Sequence, residues 1–158
     1  MTWTSAVTQI TGALISASTY NGQLIGNLNH LYQRPAWDVL WKMPSAVTKT
    51  GTTFTDVDAT NLIVNITVNT PQILCAAMVP TEGLTGGRCY LDFILDSTTR
   101  AGSTTYGSAS GLRDQTIPVF GRFTGVSAGA HTIKLQFSTN GTSVGVSNHL
   151  VHMMVWEL

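Results

Sequence analysis

Residues 127–146 read SAGAHTIKLQFSTNGTSVGV, and the spacing inside them decides the fold class. His131, Ile133, Leu135 and Phe137 fall on one side of an extended chain, with Thr132, Lys134 and Gln136 on the other. A period of two is what a β-strand with one dry and one wet side requires. Asn140-Gly141 follows, a dipeptide favoured by type I′ turns because both central residues need positive φ, so the stretch predicts a hairpin.

The same period recurs outward from there. FTDVDATNLIVNITVNT (54–70) sets Leu62, Val64, Ile66 and Val68 against Asn61, Asn65, Thr67 and Asn69. QILCAAMV (72–79) and RCYLDFILD (88–96), joined by PTEGLTGG, read as two neighbouring strands. The polar stretch at 97–114 reads as loop with one short strand near Thr104–Gly107, and TIPVFGRF (116–123) as a strand whose Pro118 marks an edge or bulge. Seven or eight short strands with turn residues between them predict an all-β chain, an antiparallel β-sandwich or jelly roll over residues 48–158.

The closing stretch SNHLVHMMVWEL (147–158) departs from that pattern, because both of its faces are apolar. His149, Val151, Met153 and Val155 share one face; Leu150, His152, Met154 and Trp156 share the other. Such a strand needs cover on two sides: its own sandwich on one, a neighbouring chain on the other.

Residues 1–47 form a front arm in this reading. Leu24, Ile25, Leu28, Leu31 and Tyr32 lie on one helical stripe, with Ser18 as N-cap and Pro35 past the end, which predicts a short amphipathic helix over about residues 19–32. Its glycines and amides make it weak alone, so it calls for a partner surface. Trp37 and Trp41, in QRPAWDVLWKMPSAV (33–47), either anchor such a partner or cap the bottom of the sandwich.

Composition narrows the function. At 158 residues the chain fits one domain with a sizeable core. Eight basic residues balance eight acidic ones, which argues against nucleic acid or an anionic membrane as partner. Only 10% of residues are charged, well below the ~25% of ordinary domains, and a Thr-rich surface of that kind is cheap to bury against other chains. No signal peptide or membrane span is read, so synthesis in a host cytoplasm is expected, with Cys75 and Cys89 as buried free thiols rather than a disulfide.

Motifs for chemistry are sparse. Asp56 and Asp58 lack further ligands for a hard cation, and Asp92 and Asp96 share a strand face without a recognisable acid–base partner. His149 and His152, three apart, point to opposite sides of a strand and do not meet on one metal. There is no G-x-S-x-G elbow and no phosphate loop. The expectation is a non-enzymatic protein without cofactor, with a small hydrolase or a metalloenzyme of the cupin type as the weaker class.

Two stretches resemble known proteins. The opening residues, with Trp3, Ser16, Ala17, Tyr20, Asn21, Asn27, Leu28 and Leu31, resemble the front of short structural proteins of tailed bacteriophages and prophages, although the acidic residue expected before Ser-Ala is absent. VSAGAHTIKLQF through MMVWEL is similar to the last hairpin of the trimeric, tumour-necrosis-factor-like jelly rolls that follow such fronts. The resemblance implies a homotrimeric virion protein, a capsid decoration (cement) protein that binds the major capsid protein. A tail-fibre tip or receptor- and glycan-binding trimer, attached to a tail protein, is the alternative. On this reading His149, His152, Met154, Trp156 and Leu158 lie at the trimer interface, and Trp3, Tyr20, Leu24, Leu28, Leu31, Trp37 and Trp41 anchor the partner.

Overall fold

The computed structural model describes residues 36–83, 88–102, 105–108, 115–140 and 143–158. The chain divides into residues 1–35 and 36–158, and the helix expected over 19–32 lies outside the described residues. Every regular element among those described is a strand: β1 (Ala36–Lys42), β2 (Val47–Lys49), β3 (Thr55–Asp56), β4 (Ile63–Val68), β5 (Gln72–Gly83), β6 (Arg88–Leu95), β7 (Thr99–Arg100), β8 (Thr105–Ser108), β9 (Gln115–Thr124), β10 (Gly129–Thr139), β11 (Val144–Val146) and β12 (Leu150–Glu157).

All pairings are antiparallel, and they build two sheets, as expected of a β-sandwich of the jelly-roll kind. The first runs β1-β12-β5-β11-β2, with β9 on the far side of β5; the second runs β3-β10-β6-β7, with β4 on β10 and β8 on β6. Their inner faces supply one core, including Val64, Ile66, Cys75, Leu91, Phe93, Val119, Ile133, Leu135, Phe137 and Met153. Period two explains the membership: β9 alternates buried and exposed along its whole length, and β4 buries Val64, Ile66 and Val68 while Asn65 and Thr67 stay wet.

The connections correct two readings. Asn140-Gly141 does not close a hairpin: β10 pairs with β3, β4 and β6, whereas β11 pairs with β2 and β5 in the other sheet. Likewise β5 and β6 belong to different sheets and are not paired neighbours. In both places the chain crosses the sandwich, because the apolar side of each strand is satisfied as well by facing its successor as by lying beside it. Cys75 and Cys89 therefore sit on opposite sheets, both free and buried, and burial pushes each thiol up to about 12.

The sandwich also starts earlier than expected. β1 pairs with β12 from Ala36↔Trp156 to Lys42↔Leu150, so residues 36–42 form a sheet strand rather than part of a front arm. Trp37, Val39 and Trp41 are partly buried and pack against the core, which fixes the inward side of this strand. Pro118 sits in β9, which among the described residues pairs only with β5, and so falls on an edge strand where a missing N–H is tolerated.

Residues 51–57 run along the edge of β10 in the second sheet. Thr139 N–H donates to Gly51 O at 3.1 Å and Val57 N–H to Leu135 O at 3.0 Å. Arg100 stacks over the Phe54 ring at 4.0 Å, so Asp92 and Gln136, though on the outward side, are almost fully buried.

Candidate functional site

The antiparallel register fixes which side chains share the outer face of the first sheet. Across β1, β12, β5 and β9 the rows are Ala36–Trp156–Leu74–Arg122, Asp38–Met154–Ala76–Phe120 and Leu40–His152–Met78–Pro118; beyond the last β12–β5 pair, Lys42 pairs with Leu150 and Pro80 with Thr116. Leu158 continues the β12 series, its N–H held by Gln72 O at 3.1 Å. All five exposed large hydrophobic residues among the described residues lie on this face: Leu40, Met78, Phe120, Leu150 and Leu158, between 40% and 60% exposed. Trp156, Met154 and Leu74 are half-buried beside them. Isolated exposed apolar residues are ordinary; a contiguous set on one flat sheet marks an interaction surface.

Charge is confined to the margins of this face. Asp38 is 73% exposed and lies 3.7 Å from His152 Nε2; Lys42 is exposed on the same edge strand. Arg122, on the opposite edge, donates to the Gln72 side-chain oxygen. Lys42, Pro80, Thr116, His149 and Leu150 line a hollow of about 410 Å³ at one end.

Of the interface residues named from sequence, His152, Met154, Trp156 and Leu158 come together on this face, while Val151, Met153 and Val155 are fully buried in the core. His149 is exposed just before β12, its carbonyl accepting from Met43 N–H at 3.2 Å. Trp37 and Trp41 lie on the opposite, inward side, and Trp3, Tyr20, Leu24, Leu28 and Leu31 are outside the described residues. Sequence reasoning missed Leu40, Met78 and Phe120, and placed Leu150 on this face of the closing strand without naming it as an interface residue. The alternation of AWDVLWK and TIPVFGRF carried that signal, since each places one large apolar residue among its outward positions.

The carboxylates with a potential for chemistry are tied to structural partners. Asp56 accepts from Gln136 Nε2 at 2.6 Å and Lys134 Nζ at 3.0 Å; burial pushes its carboxyl up, but these two partners outweigh it and hold it low. Asp58 caps its own turn, accepting from the N–H groups of Thr60 and Asn61, and is held low against burial in the same way. Asp92 is raised by burial, opposed by Phe93 N–H at 2.8 Å and by the Arg100 guanidinium 3.8 Å away. No group of three or more His, Cys, Asp or Glu side chains among the described residues is placed to hold a metal.

Asp96 leaves the strand face of Asp92 altogether. With Ser97 it adopts positive φ in the turn after β6, accepts from Thr132 N–H at 2.9 Å, and meets His131 Nδ1 at 2.7 Å. The Asp96 partner, then the Ser127 carbonyl at 2.8 Å, raise the His131 pKa; burial works against them. Asp96 is raised by burial but more strongly lowered by His131 and Thr132. A raised histidine stabilises the fold below its unfolded value and loses that contribution as pH rises through its folded value. A lowered aspartate does the reverse on the acid side. Stability is therefore expected to decline as pH climbs from about 6 through neutrality, and His131→Gln is expected to flatten that decline while costing about 1 kcal/mol at pH 6. Thermal melts of both proteins across pH check this.

No family model matches the sequence, and no curated protein does. Among solved structures, the chain is similar to VP2 of infectious bursal disease virus. In derived T=1 particles of a D431N mutant the TM-score is 0.49 at 11% identity, covering 79% of this chain and 36% of that one. In the VP2 subviral particle it is 0.48 at 12% identity, covering 79% and 38%. It is also similar to the tripod (BppUct-A-L) from the baseplate of bacteriophage Tuc2009, at TM-score 0.45 and 13% identity, covering 100% and 77%. The chain spans little more than a third of the length of those VP2 chains.

Proposed function

We propose that the chain is a non-enzymatic structural protein of a phage virion, acting as a homotrimeric capsid decoration protein that binds the major capsid protein. The observation that carries this reading is the outer face of the β1-β12-β5-β9 sheet, where all five exposed large apolar side chains among the described residues collect on a protein with few charges. A contiguous apolar surface of that kind marks an interaction site, and covering it removes apolar area from water. The carboxylates bind turns, lysine, arginine and glutamine within the fold, an economy that fits a protein whose work is burying area. The phage-like sequence pattern at Trp3, Ser16, Ala17, Tyr20 and Asn21, with the closing VSAGAHTIKLQF and MMVWEL stretches, directs the reading to a virion.

Decoration adds contact area across joints between capsomers and so opposes internal pressure without any bond being made or broken. The test is the mass of the purified chain by light scattering, expected at three times 16.9 kDa, followed by imaging of capsids incubated with it. Added density over capsid threefold positions is expected. A stable monomer at micromolar concentration, or density only at a tail end, overturns the reading, the latter in favour of a receptor-binding fibre tip.

A further inference from the structure

We propose that the outer face of the β1-β12-β5-β9 sheet is a self-association surface whose occupant is a second copy of this chain, seated so that the β1–β12 half of one copy covers the β5–β9 half of the next. This rests on the reading of the protein as an assembling structural component and names the partner of its apolar face.

The size of the face fits a protein partner. Five large side chains at 40–60% exposure, with half-buried Trp156, Met154 and Leu74 between them, present on the order of 500 Å² of contiguous apolar surface. That is at the upper end for a free monomer, and it approaches one partner's share, about 800 Å², of a standard interface. Its composition also fits: Trp156, Met154, Leu74 and Met78 stand on the two inner strands, and Asp38, Lys42 and Arg122 on the two outer ones.

Charge placement selects the occupant and its orientation. Asp38 and Arg122 stand on the two opposite edge strands of the face, in adjacent register rows. Adjacent rows on one face are about 7 Å apart along the strand, within the reach of an arginine side chain. Laying β1 of one copy over β9 of another brings a carboxylate that is 73% exposed to a guanidinium that donates to Gln72. In the same arrangement Phe120 is covered by the apolar residues of β1 and β12, Leu40 and Met154 foremost. Asp38 on β1 and Arg122 on β9 are thus opposite charges that meet when the two halves overlap, with Lys42 two rows away from Asp38, so the surface carries one complementary pair of its own. An anionic membrane would select a ring of cations instead, and here Asp38 stands among them.

The test uses the full chain and sedimentation velocity over a concentration series. Phe120→Asp and Leu40→Asp alter side chains 60% and 59% exposed, so the fold is expected to survive, as checked by far-UV circular dichroism and the melting temperature. Each is expected to raise the dissociation constant of the assembly at least about thirtyfold. Asp38→Arg and Arg122→Asp are each expected to weaken assembly several-fold, and the two together to restore it. Persistence of the assembly in both aspartate variants overturns the surface, and a double charge swap no better than the single ones overturns the orientation. A dimer broken by Phe120→Asp upholds the surface while overturning the trimeric reading. A trimer indifferent to Phe120 and Leu40 overturns the surface and leaves that reading standing. A wild-type chain that stays monomeric overturns the surface as well.

Discussion

Phe93→Ala is expected to lower the free energy of unfolding by about 3–5 kcal/mol, a loss of the size that only a large, tightly packed core side chain produces, and to drop the melting temperature by roughly 10 °C or more. Phe93 is fully buried, on the inner side of β6, and its register partner is Leu135 of β10. What sets it apart is the facing sheet. A Cβ placed on Gly121 of β9 would come within 2.8 Å of the Phe93 ring and 2.8 Å of the Ala101 methyl. Gly121 is an inward position of a strand whose other inward residues, Val119 and Phe123, carry full side chains. The ring therefore occupies the volume that glycine leaves, and alanine at 93 opens a cavity spanning both sheets that neither backbone closes without breaking its ladder. The converse change, Gly121→Val, is expected to cost about 1–3 kcal/mol by overpacking. Because the two sites share one volume, Phe93→Leu combined with Gly121→Ala is expected to cost less than the sum of the single changes. Urea denaturation of the four proteins measures this, and strict additivity would show that ring and glycine do not compete for space.

That pair illustrates what the sequence discloses and what it withholds. The inward side of each strand needs only parity, so Ile133, Leu135 and Phe137, or Val64, Ile66 and Val68, are assigned correctly without knowing any partner. The short strand near residue 105 and the edge position of Pro118 follow from local chemistry in the same way. Sheet membership does not, because a hairpin and a crossover present the same alternation, and the partner that distinguishes them lies far along the chain. Asn140-Gly141 is a good turn wherever the next strand goes, and here it goes to the opposite sheet. β1 was hidden for another reason: two tryptophans four apart suggest partner anchors or caps of the sandwich, yet Trp37, Val39 and Trp41 also alternate with Ala36, Asp38 and Leu40. The interaction face was half legible. Residues of β12 betrayed it because both sides of that strand are apolar. Leu40, Met78 and Phe120 are single apolar residues on three other strands, and only the register assembles them with Met154 and Trp156 into one surface.

Glu157→Ala is expected to cost about 2–4 kcal/mol, although glutamate near the end of a strand is usually dispensable. Its position on β12 is inward, in line with Val151, Met153 and Val155, where a charge has no solvent of its own. The carboxylate is satisfied by the turn between β4 and β5: one of its oxygens accepts the N–H groups of both Asn69 and Thr70. The main chain beyond it adds the Leu158 N–H to Gln72 O bond, so the end of β12 is clamped to the start of β5 from both sides. Alanine leaves two part-buried N–H donors without an acceptor and frees the last turn of the ladder. Glutamine keeps an acceptor oxygen in place but loses the charge that strengthens both bonds, so Glu157→Gln is expected to recover about half of the lost stability. Denaturant titration of the three proteins separates these outcomes, and equal losses for Ala and Gln would mean that the charge alone matters. Glu157 does not reach the outer face, yet its neighbours Trp156 and Leu158 do. The clamp thus holds two apolar members of the association surface in register, and Glu157→Ala is expected to weaken assembly as well as folding, with Glu157→Gln intermediate in both. A variant that melts early but assembles with wild-type affinity would show instead that the surface is carried by β1, β5 and β9 without the end of the closing strand.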